Sequence, residues 1–265
     1  MRKRVYQKAL ITGASAGLGE EYARQLAAAG TSLILVARRK ERLEKLAAEL
    51  NDKFRVSVEV FPADLSREEE ILRLAERIKQ TADLDLLINN AGFGGKVKFH
   101  KDDSGEAERM IKVHISATVL LTRAALPAMI QRGRGAVINV SSVAAFSPFS
   151  GTMYSSTKAF LVMFSENLQT ELAGTGVKVQ ALCPGLTHTE FHQVAGMNKE
   201  AIPGFLWMKA DRVVRISLLA LGRNKVTVVP GAGNRLIAFF MRCPWTFAVM
   251  RWLSRSRKIR KMAGM

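Results

Sequence analysis

The stretch TGASAGLG, Thr12–Gly19, follows the apolar run Ala9–Ile11 and leads into a helical pattern. A strand, a glycine turn and a helix N-terminus together form a site for a phosphate, because the first N–H groups of a helix lack intrahelical partners. Gly13 can adopt backbone angles that a side chain resists. Gly17 lets the backbone approach a pyrophosphate, and Gly19 lets helix and strand pack closely. The stretch therefore predicts nucleotide binding, with a plain strand–helix turn as the alternative.

Short apolar segments alternate with helical patterns through most of the 265 residues. The segments are rich in Val, Ile and Leu, as expected of strands covered on both faces. This alternation predicts an α/β fold of the Rossmann type, with a doubly wound parallel sheet and right-handed crossovers. The predicted strands are Lys8–Ile11, Ser32–Val36, Val56–Phe61, Leu84–Ile88, Ala136–Val140, Val177–Leu182 and Val226–Val229. The predicted helices are Gly17–Ala29, Lys40–Asn51, Arg67–Thr81, Glu106–Gln131, Thr152–Ala173 and Asp211–Leu221.

The composition, with 48% hydrophobic residues, is typical of a globular protein. No run of 18 apolar residues occurs, so we predict no membrane-spanning helix. The first strand reaches a turn at Thr12, which leaves no room for a signal peptide. Cys183 and Cys243 lack the spacing of metal ligands and are predicted to be free thiols in a reducing compartment. We therefore expect a cytoplasmic protein without a metal site.

The net charge of +17 is concentrated near the C-terminus. After Asp211 the chain has 12 Lys or Arg residues and no acid, which leaves 28 bases against 23 acids, or +5, in residues 1–211. Residues 231–265 mix these bases with large apolar side chains. Two interpretations stay open: a peripheral membrane contact with anionic lipid, or an arm that packs on its own domain or on a partner subunit. Basic charge alone is poor evidence for nucleic-acid binding, which we do not predict.

The second predicted strand is followed by Arg38 and Arg39. In a sheet of this type that position meets the ribose of the adenosine half, where a carboxylate favours NAD. Arginine instead binds a 2′-phosphate in two-point geometry. The pair predicts NADP rather than NAD, with a solvated charge run as the alternative. Asp64 and Leu65, after the third strand, are candidates for contacting the adenine, and Asp64 is also a candidate helix N-cap.

Tyr154 and Lys158 stand four residues apart in YSSTK, so they share one face of the predicted helix. A nearby ammonium favours the phenolate and is expected to lower the tyrosine pKa from about 10, which makes Tyr154 a proton donor or acceptor. Such pairs are common on helix surfaces. Here, however, the preceding strand ends in Ser141 and Ser142, at the sheet edge where these folds bind ligands.

These motifs together resemble the short-chain dehydrogenase/reductase family, in its compact single-domain branch. They are TGASAGLG, NNAG at Asn89–Gly92, the serine pair, YSSTK and the run Cys183–Thr189, in the order and spacing of the family. The resemblance implies hydride transfer between a nicotinamide and a carbonyl or alcohol. It implies Tyr154 as acid/base, Lys158 as the group that lowers its pKa and anchors ribose, and Ser142 as a donor to the substrate oxygen. The cofactor-binding residues are then Gly13, Ser15, Gly17, Leu18, Gly19, Arg38, Arg39, Asp64, Leu65, Asn90, Ala91, Gly92, Tyr154, Lys158, Pro184, Gly185, Thr187 and Thr189.

Two departures from the family pattern concern the catalytic residues. In the family, the catalytic Ser and Tyr are usually separated by one residue more than Ser142 and Tyr154 are here. Ser141 has the usual separation from Tyr154. The following segment VAAFSP, however, aligns better with the family if Ser142 is the catalytic serine and the chain is one residue shorter near Thr152. The catalytic asparagine of the family is replaced by His114. Either His114 serves the same proton relay to lysine, or the site is slowed or silenced, or His114 is a helix-interior histidine without a catalytic part.

The resemblance implies that residues 1–230 form the domain and that 190–210 cover the substrate. An apolar cover favours a hydrophobic substrate. We expect an NADP-dependent oxidoreductase; the alternative is a nucleotide-binding or scaffold protein that kept the fold and lost turnover. The resemblance also implies a homodimer or homotetramer through the helices Glu106–Gln131 and Thr152–Ala173. The apolar residues of the cover are Phe191, Met197, Ile202, Phe205, Leu206, Trp207 and Met208.

Overall fold

The computed structural model describes residues 6–95, 97–147, 150–191, 203–243 and 245–246. The strands are β1 (Lys8–Thr12), β2 (Ser32–Ala37), β3 (Val58–Pro62), β4 (Leu84–Asn89), β5 (Gly135–Val140), β6 (Val177–Leu182), β7 (Thr187–His188), β8 (Met208–Lys209) and β9 (Thr227–Val228). Seven of them form a parallel sheet in the order β3-β2-β1-β4-β5-β6-β9, and β7 pairs with β8 outside it. The predicted doubly wound parallel sheet is confirmed. Its order reverses between β1 and β4, where such folds bind ligands.

Helices cover both faces of the sheet. They are α1 (Gly17–Ala28), α2 (Lys40–Phe54), α3 (Glu68–Lys79), α4 (Glu106–Gln131), α5 (Thr152–Glu171), α6 (Ala210–Gly222) and α7 (Ala232–Arg242). Apolar residues of α1, α2 and α6 pack on one face, and those of α3, α4 and α5 on the other. Successive strand residues alternate between the two cores: Ile11 faces the first and Leu10 the second. This two-sided burial explains the continuous apolar runs of the strands.

Three local features differ from the expectations. β3 begins at Val58 rather than Val56, because α2 runs on to Phe54 and ends at Arg55 in the left-handed conformation, φ 56°. Asp64 is not the N-cap of α3: its Oδ1 accepts hydrogen bonds from the N–H and hydroxyl of Ser66 at 3.0 and 2.8 Å, while Arg67 holds the cap position. The small β7–β8 sheet was not predicted. Cys183 and Cys243 are both free thiols, as expected.

The helix α4 contains one turn of π-helix, Lys112–Ser116, which no sequence pattern indicated. Such turns are rare and often stand at functional sites. By length and composition α4 alone among the described helices is apolar enough to cross a membrane. Leu121 and Met129 are buried between α3 and the sheet, so packing in the core accounts for its apolar character.

The C-terminal extension begins as a helix, because α7 starts two residues after the predicted domain end at Pro230. The division into 1–230 and 231–265 stays a prediction. Residues 244 and 247–265 lie outside the described residues, and so do 192–202 of the predicted cover, including Met197 and Ile202.

Candidate active site

A cleft of about 590 Å³ lies at the carboxyl ends of the central strands, at the point where the strand order reverses. It gathers nearly every residue that the sequence placed in a site. Gly19 and His114 lie behind its wall. The predicted site residues that line it are Gly13, Ser15, Gly17, Leu18, Arg38, Arg39, Asp64, Leu65, Asn90, Ala91, Gly92, Ser142, Tyr154, Lys158, Pro184, Gly185, Thr187 and Thr189.

The glycine turn at the start of α1 has the geometry of a phosphate cradle. Gly13 and Gly17 have φ of 66° and 61°, in the region that favours glycine. A Cβ on Gly17 would approach Thr189 to 3.2 Å, and one on Gly19 would collide with the carbonyl oxygen of Gly13. The N-cap of α1, Ala16, makes no side-chain hydrogen bond, so the helix N-terminus keeps its donors for an anion. These features fit a pyrophosphate.

Two arginines stand at the adenosine end of the cleft. Arg38 is mostly exposed and lies 4.0 Å from the Asp64 carboxylate. Arg39 donates from Nε to the Ser15 hydroxyl at 3.2 Å and from Nη2 to the Ser15 carbonyl at 3.3 Å. Its Nη1 donates to Glu190 at 3.1 Å. No carboxylate ends β2, and the guanidinium groups at this position suit a phosphate.

Hydrogen bonds with Thr12 tie the NNAG segment to the start of the glycine turn. The hydroxyl of Thr12 accepts from the N–H groups of Asn90 and Ala91 at 2.9 and 3.0 Å, and Asn90 Nδ2 donates to the Thr12 carbonyl at 2.8 Å. A Cβ on Gly92 would lie 2.9 Å from His114 Nε2 and 3.3 Å from Lys158 Nζ. A small residue is therefore required at Gly92, where this loop passes close to the side chains of α4 and α5.

Tyr154 and Lys158 point from α5 into the cleft. Lys158 Nζ lies 5.7 Å from the centre of the Tyr154 ring and donates to the Val140 carbonyl at 2.9 Å. The Ser142 side chain is hydrogen-bonded to Tyr154. Ser141 instead donates its hydroxyl to the Lys158 carbonyl at 2.6 Å. The phenol, the ammonium and the Ser142 hydroxyl therefore share one end of the cleft, which is the predicted catalytic end, while Ser141 is engaged in holding the helix.

The expected lowering of the tyrosine pKa is wrong in this structure. Burial raises the pKa of Tyr154 to about 12, and the hydrogen bond to Ser142 offsets only part of this. Burial also lowers the pKa of Lys158 to about 8. Both shifts arise because the charged forms lose their hydration inside the protein. Tyr154 is therefore a protonated phenol at neutral pH, which is the form that donates a proton.

His114 occupies the middle of the π-helical turn and is buried. Its Nε2 accepts from the Phe93 N–H at 3.1 Å, so Nδ1 carries the proton and donates to the Thr157 hydroxyl at 2.9 Å. Thr157 in turn donates to the Tyr154 carbonyl at 3.1 Å. Burial, and to a smaller extent the positive charge of Lys158, keeps the pKa of His114 well below its usual value. A neutral histidine thus ties the NNAG loop to the turn that carries Tyr154.

Aromatic residues lie at the same end of the cleft as Tyr154. The Phe191 ring lies 5.8 Å from that of Tyr154, and the Phe93 ring 5.5 Å from that of His114. Trp207, from the predicted cover, is instead buried and stacked on His188 at 5.2 Å. Within the described parts of the chain, no three His, Cys, Asp or Glu side chains are grouped to hold a metal ion.

Several residues of the cleft were not found from the sequence. Phe93 directly follows the NNAG motif and Glu190 directly follows Thr189, so adjacency to a motif was the one available signal. Val113 directly precedes His114 and so had the same signal, whereas Arg109 had none, because only the path of α4 along the cleft brings it there.

Comparisons with known proteins identify the family. The model of the short chain dehydrogenase family matches residues 7–200. The chain is 39% identical over 188 residues to the NADP-dependent 3-hydroxy acid dehydrogenase of Salmonella typhi, covering 70% of this chain and 75% of that protein. The short-chain dehydrogenase from Sphingobium yanoikuyae, solved with NADPH, is 35% identical with a TM-score of 0.82, over 94% of this chain and 96% of that one. The bulky-bulky ketone specific alcohol dehydrogenase from Comamonas testosteroni is 29% identical with a TM-score of 0.79, over 96% of each chain.

The chain therefore belongs to the short-chain dehydrogenase/reductase family and is an oxidoreductase of that class.

Proposed function

We propose that this enzyme transfers hydride between NADP and a carbonyl or alcohol group of a hydrophobic substrate. The observation that carries the proposal is one cleft with Ser142, Tyr154 and Lys158 at one end and Arg38 and Arg39 at the other. The NADPH in the Sphingobium relative and the NADP dependence of the Salmonella relative support the same cofactor.

Three side chains carry the proton chemistry of this proposal. The nicotinamide, when bound, supplies the hydride for reduction or accepts it for oxidation. Tyr154 donates its proton to the carbonyl oxygen, and the Ser142 hydroxyl donates a hydrogen bond to the same oxygen as it becomes an alkoxide. The ammonium of Lys158 stabilises the phenolate that Tyr154 becomes. For alcohol oxidation the same groups act in reverse.

A hydrophobic substrate is supported by the walls of the catalytic end. Phe93, Val113 and Phe191 line the cleft beside Tyr154. Apolar walls exclude water and strengthen the hydrogen bonds to the developing alkoxide. The ketone specificity of the Comamonas relative supports a bulky substrate.

The proposal is tested by a panel of aromatic and aliphatic ketones, aldehydes and alcohols, read by nicotinamide absorbance with both cofactors. We expect turnover with NADPH and larger kcat/KM for bulky apolar ketones than for small polar ones. Tight NADPH binding with no turnover on any substrate would favour the alternative, a nucleotide-binding protein without catalysis. Binding of neither cofactor would contradict both functions.

Carbonyl reduction is expected to slow as pH rises through about 8, the pKa that burial gives Lys158. Below that pKa the ammonium stabilises the forming phenolate, and above it the charge is lost, while Tyr154 stays protonated because its pKa is raised to about 12. The kcat profile of the enzyme and of Lys158→Met measures this, and the variant should lack the step. A reduction rate that climbs between about pH 7 and 9 would contradict the assignment.

His114 is proposed to take the place of the family asparagine in the proton relay, with its tautomer set by Phe93 and Thr157. His114→Asn should keep kcat within about threefold, because an amide can both accept and donate. His114→Ala should lose about tenfold or more, because it leaves the Phe93 N–H and the Thr157 hydroxyl without their partner. Steady-state kcat and its pH profile measure the difference. Equal, undiminished rates in both variants would end this proposal.

The chain is further proposed to be a cytoplasmic homodimer or homotetramer that pairs through α4 and α5. Apolar side chains are exposed along both helices: Ile111 on α4, and Phe160 and Met163 on α5. Burial of such side chains is what stabilises subunit interfaces. The two free thiols are consistent with a reducing compartment.

A peripheral membrane contact through residues 231–265 is proposed from the surface of α7. Leu236, Phe239 and Phe240 are exposed, and Trp245 is 82% exposed. Since 12 bases and no acid follow Asp211, this surface suits an anionic bilayer.

We expect the full chain to pellet with anionic vesicles and less so at high salt. Phe239→Glu should weaken this binding about tenfold, the effect of failing to bury one aromatic side chain. Phe99→Glu serves as the control, because Phe99 is an exposed aromatic outside residues 231–265, with 58% of its surface accessible against 68% for Phe239. Identical sedimentation of both variants and the unaltered chain would remove the membrane interpretation.

A further inference from the structure

Glu190 is a carboxylate at the mouth of the cleft that the sequence analysis did not single out. It accepts hydrogen bonds from Arg42 Nη1 at 2.8 and 3.1 Å and from Arg39 Nη1 at 3.1 Å. The bonds from Arg42 and then Arg39 hold the pKa of the Glu190 carboxyl below its usual value, so the group is charged at neutral pH. The carboxylate that pairs with Arg39 thus comes from the segment after β7 and not from the end of β2.

Every nitrogen of the Arg39 guanidinium already has a partner. Nε and Nη2 donate to the hydroxyl and carbonyl of Ser15, and Nη1 donates to Glu190. A phosphate takes two parallel N–H donors from one guanidinium. The guanidinium carries five N–H groups, and these contacts occupy three of them. The contacts with Ser15 keep the guanidinium at the glycine turn, so a phosphate that binds its remaining N–H groups shares Arg39 with the Glu190 carboxylate or takes its place.

The neighbours of Glu190 explain why it sits at this place. Thr189 packs against Gly17, where a Cβ would lie only 3.2 Å from it, and the Phe191 ring lies 5.8 Å from the Tyr154 ring. These contacts lie on either side of Glu190 and hold its backbone along the cleft. Its carboxylate therefore faces Arg42 on α2 and Arg39, which directly precedes α2.

We infer that Glu190 competes with the 2′-phosphate of NADP for Arg39, and so limits how strongly the enzyme prefers NADP over NAD. The inference rests on the proposed NADP function. A 2′-hydroxyl carries no charge and leaves the Arg39–Glu190 pair in place, whereas a 2′-phosphate on Arg39 competes with the carboxylate for the guanidinium and is repelled by it. Arg39, Arg42 and Glu190 are each about half exposed, so the pair is weak enough for a phosphate to displace it.

The test is Glu190→Gln, which removes the charge and keeps the size of the side chain. Dissociation constants are measured by calorimetry for NADPH and NADH. They are also measured for adenosine 2′,5′-bisphosphate and AMP, which represent the adenosine ends of NADPH and NADH. The variant should bind the two ligands with a 2′-phosphate about three- to tenfold more tightly, and the other two within about twofold. At high salt the gain should shrink, because screening weakens exposed pairs.

Glu44→Gln is the matched control, since Glu44 lies on α2, faces Lys40 and is outside the cleft lining. It removes the same charge and should change none of the four constants. An unchanged NADPH constant in Glu190→Gln, or an equal gain for all four ligands, would overturn the inference. Weaker NADH binding in that variant would also overturn it, because Glu190 would then be a ligand of the ribose hydroxyl. Failure of the unaltered enzyme to bind NADPH would instead contradict the proposed function.

Discussion

Tyr154→Phe is expected to lower kcat for carbonyl reduction by about 10³-fold, within the range found when a general acid is lost. The reason is that the protonated phenol is the donor that the cleft presents to the carbonyl oxygen, with its pKa held at about 12 by burial. The aromatic ring remains, so its contact with Phe191 and the shape of the cleft are kept. NADPH affinity should stay within about twofold, because the variant removes only one hydroxyl.

The chain offers a matched control in Tyr22, another buried tyrosine. Its hydroxyl donates to Ser217 at 2.6 Å within the core between α1 and α6, away from the cleft. Tyr22→Phe should reduce the free energy of unfolding by about 1 kcal/mol and leave kcat unchanged. Stopped-flow nicotinamide absorbance and denaturant titration on both variants separate the two effects. A kcat for Tyr154→Phe within tenfold of the unaltered enzyme would show that another group supplies the proton.

The sheet was predictable because each strand is short and buried on both faces, which leaves a continuous apolar run in the sequence. The residues of the cleft were predictable for a related reason: TGASAGLG, NNAG and YSSTK each lie at the end or beginning of an element at the same sheet edge. Parallel strands bring those ends together whatever the spacing along the chain. Local pattern and topology predicted this sheet edge, and the resemblance to the short-chain dehydrogenase/reductase family supplied the roles of its residues.

Properties that depend on three-dimensional surroundings were not predictable. Spacing placed Lys158 on the same helix face as Tyr154, but the direction of the tyrosine pKa shift depends on burial, which outweighs the hydrogen bond with Ser142. The pairing of Arg42 with Glu190 joins residues 148 positions apart. The π-helical turn at His114 and the turn formed by Asp64 likewise follow from packing and local hydrogen bonds that compete with the expected helix geometry.

The cofactor preference is expected to reverse in the double variant Arg38→Ala/Arg39→Ala. Charge-assisted hydrogen bonds contribute about 1.5–3 kcal/mol each, so losing the contacts of both guanidinium groups should weaken NADPH binding by about 100-fold. NADH lacks the phosphate that these groups are proposed to bind, so its dissociation constant should change by less than about threefold. The measurements are calorimetric binding and kcat/KM with each cofactor.

A general loss of positive charge near the cleft would weaken the binding of any anionic ligand. The double variant Lys40→Ala/Lys45→Ala is therefore the control that separates this effect from a direct contact. Both lysines lie on α2, are exposed and do not line the cleft, so the control removes two charges at nearly the same place. It should weaken the binding of both cofactors only slightly, and that of NADPH a little more because of its extra phosphate charge, since exposed charges are screened by salt. If the arginine variant weakened NADPH binding no more than this control does, Arg38 and Arg39 would be acting through the overall field. A loss of NADPH binding far beyond that of the control is what assigns the 2′-phosphate to these two guanidinium groups, since the two cofactors differ there and nowhere else.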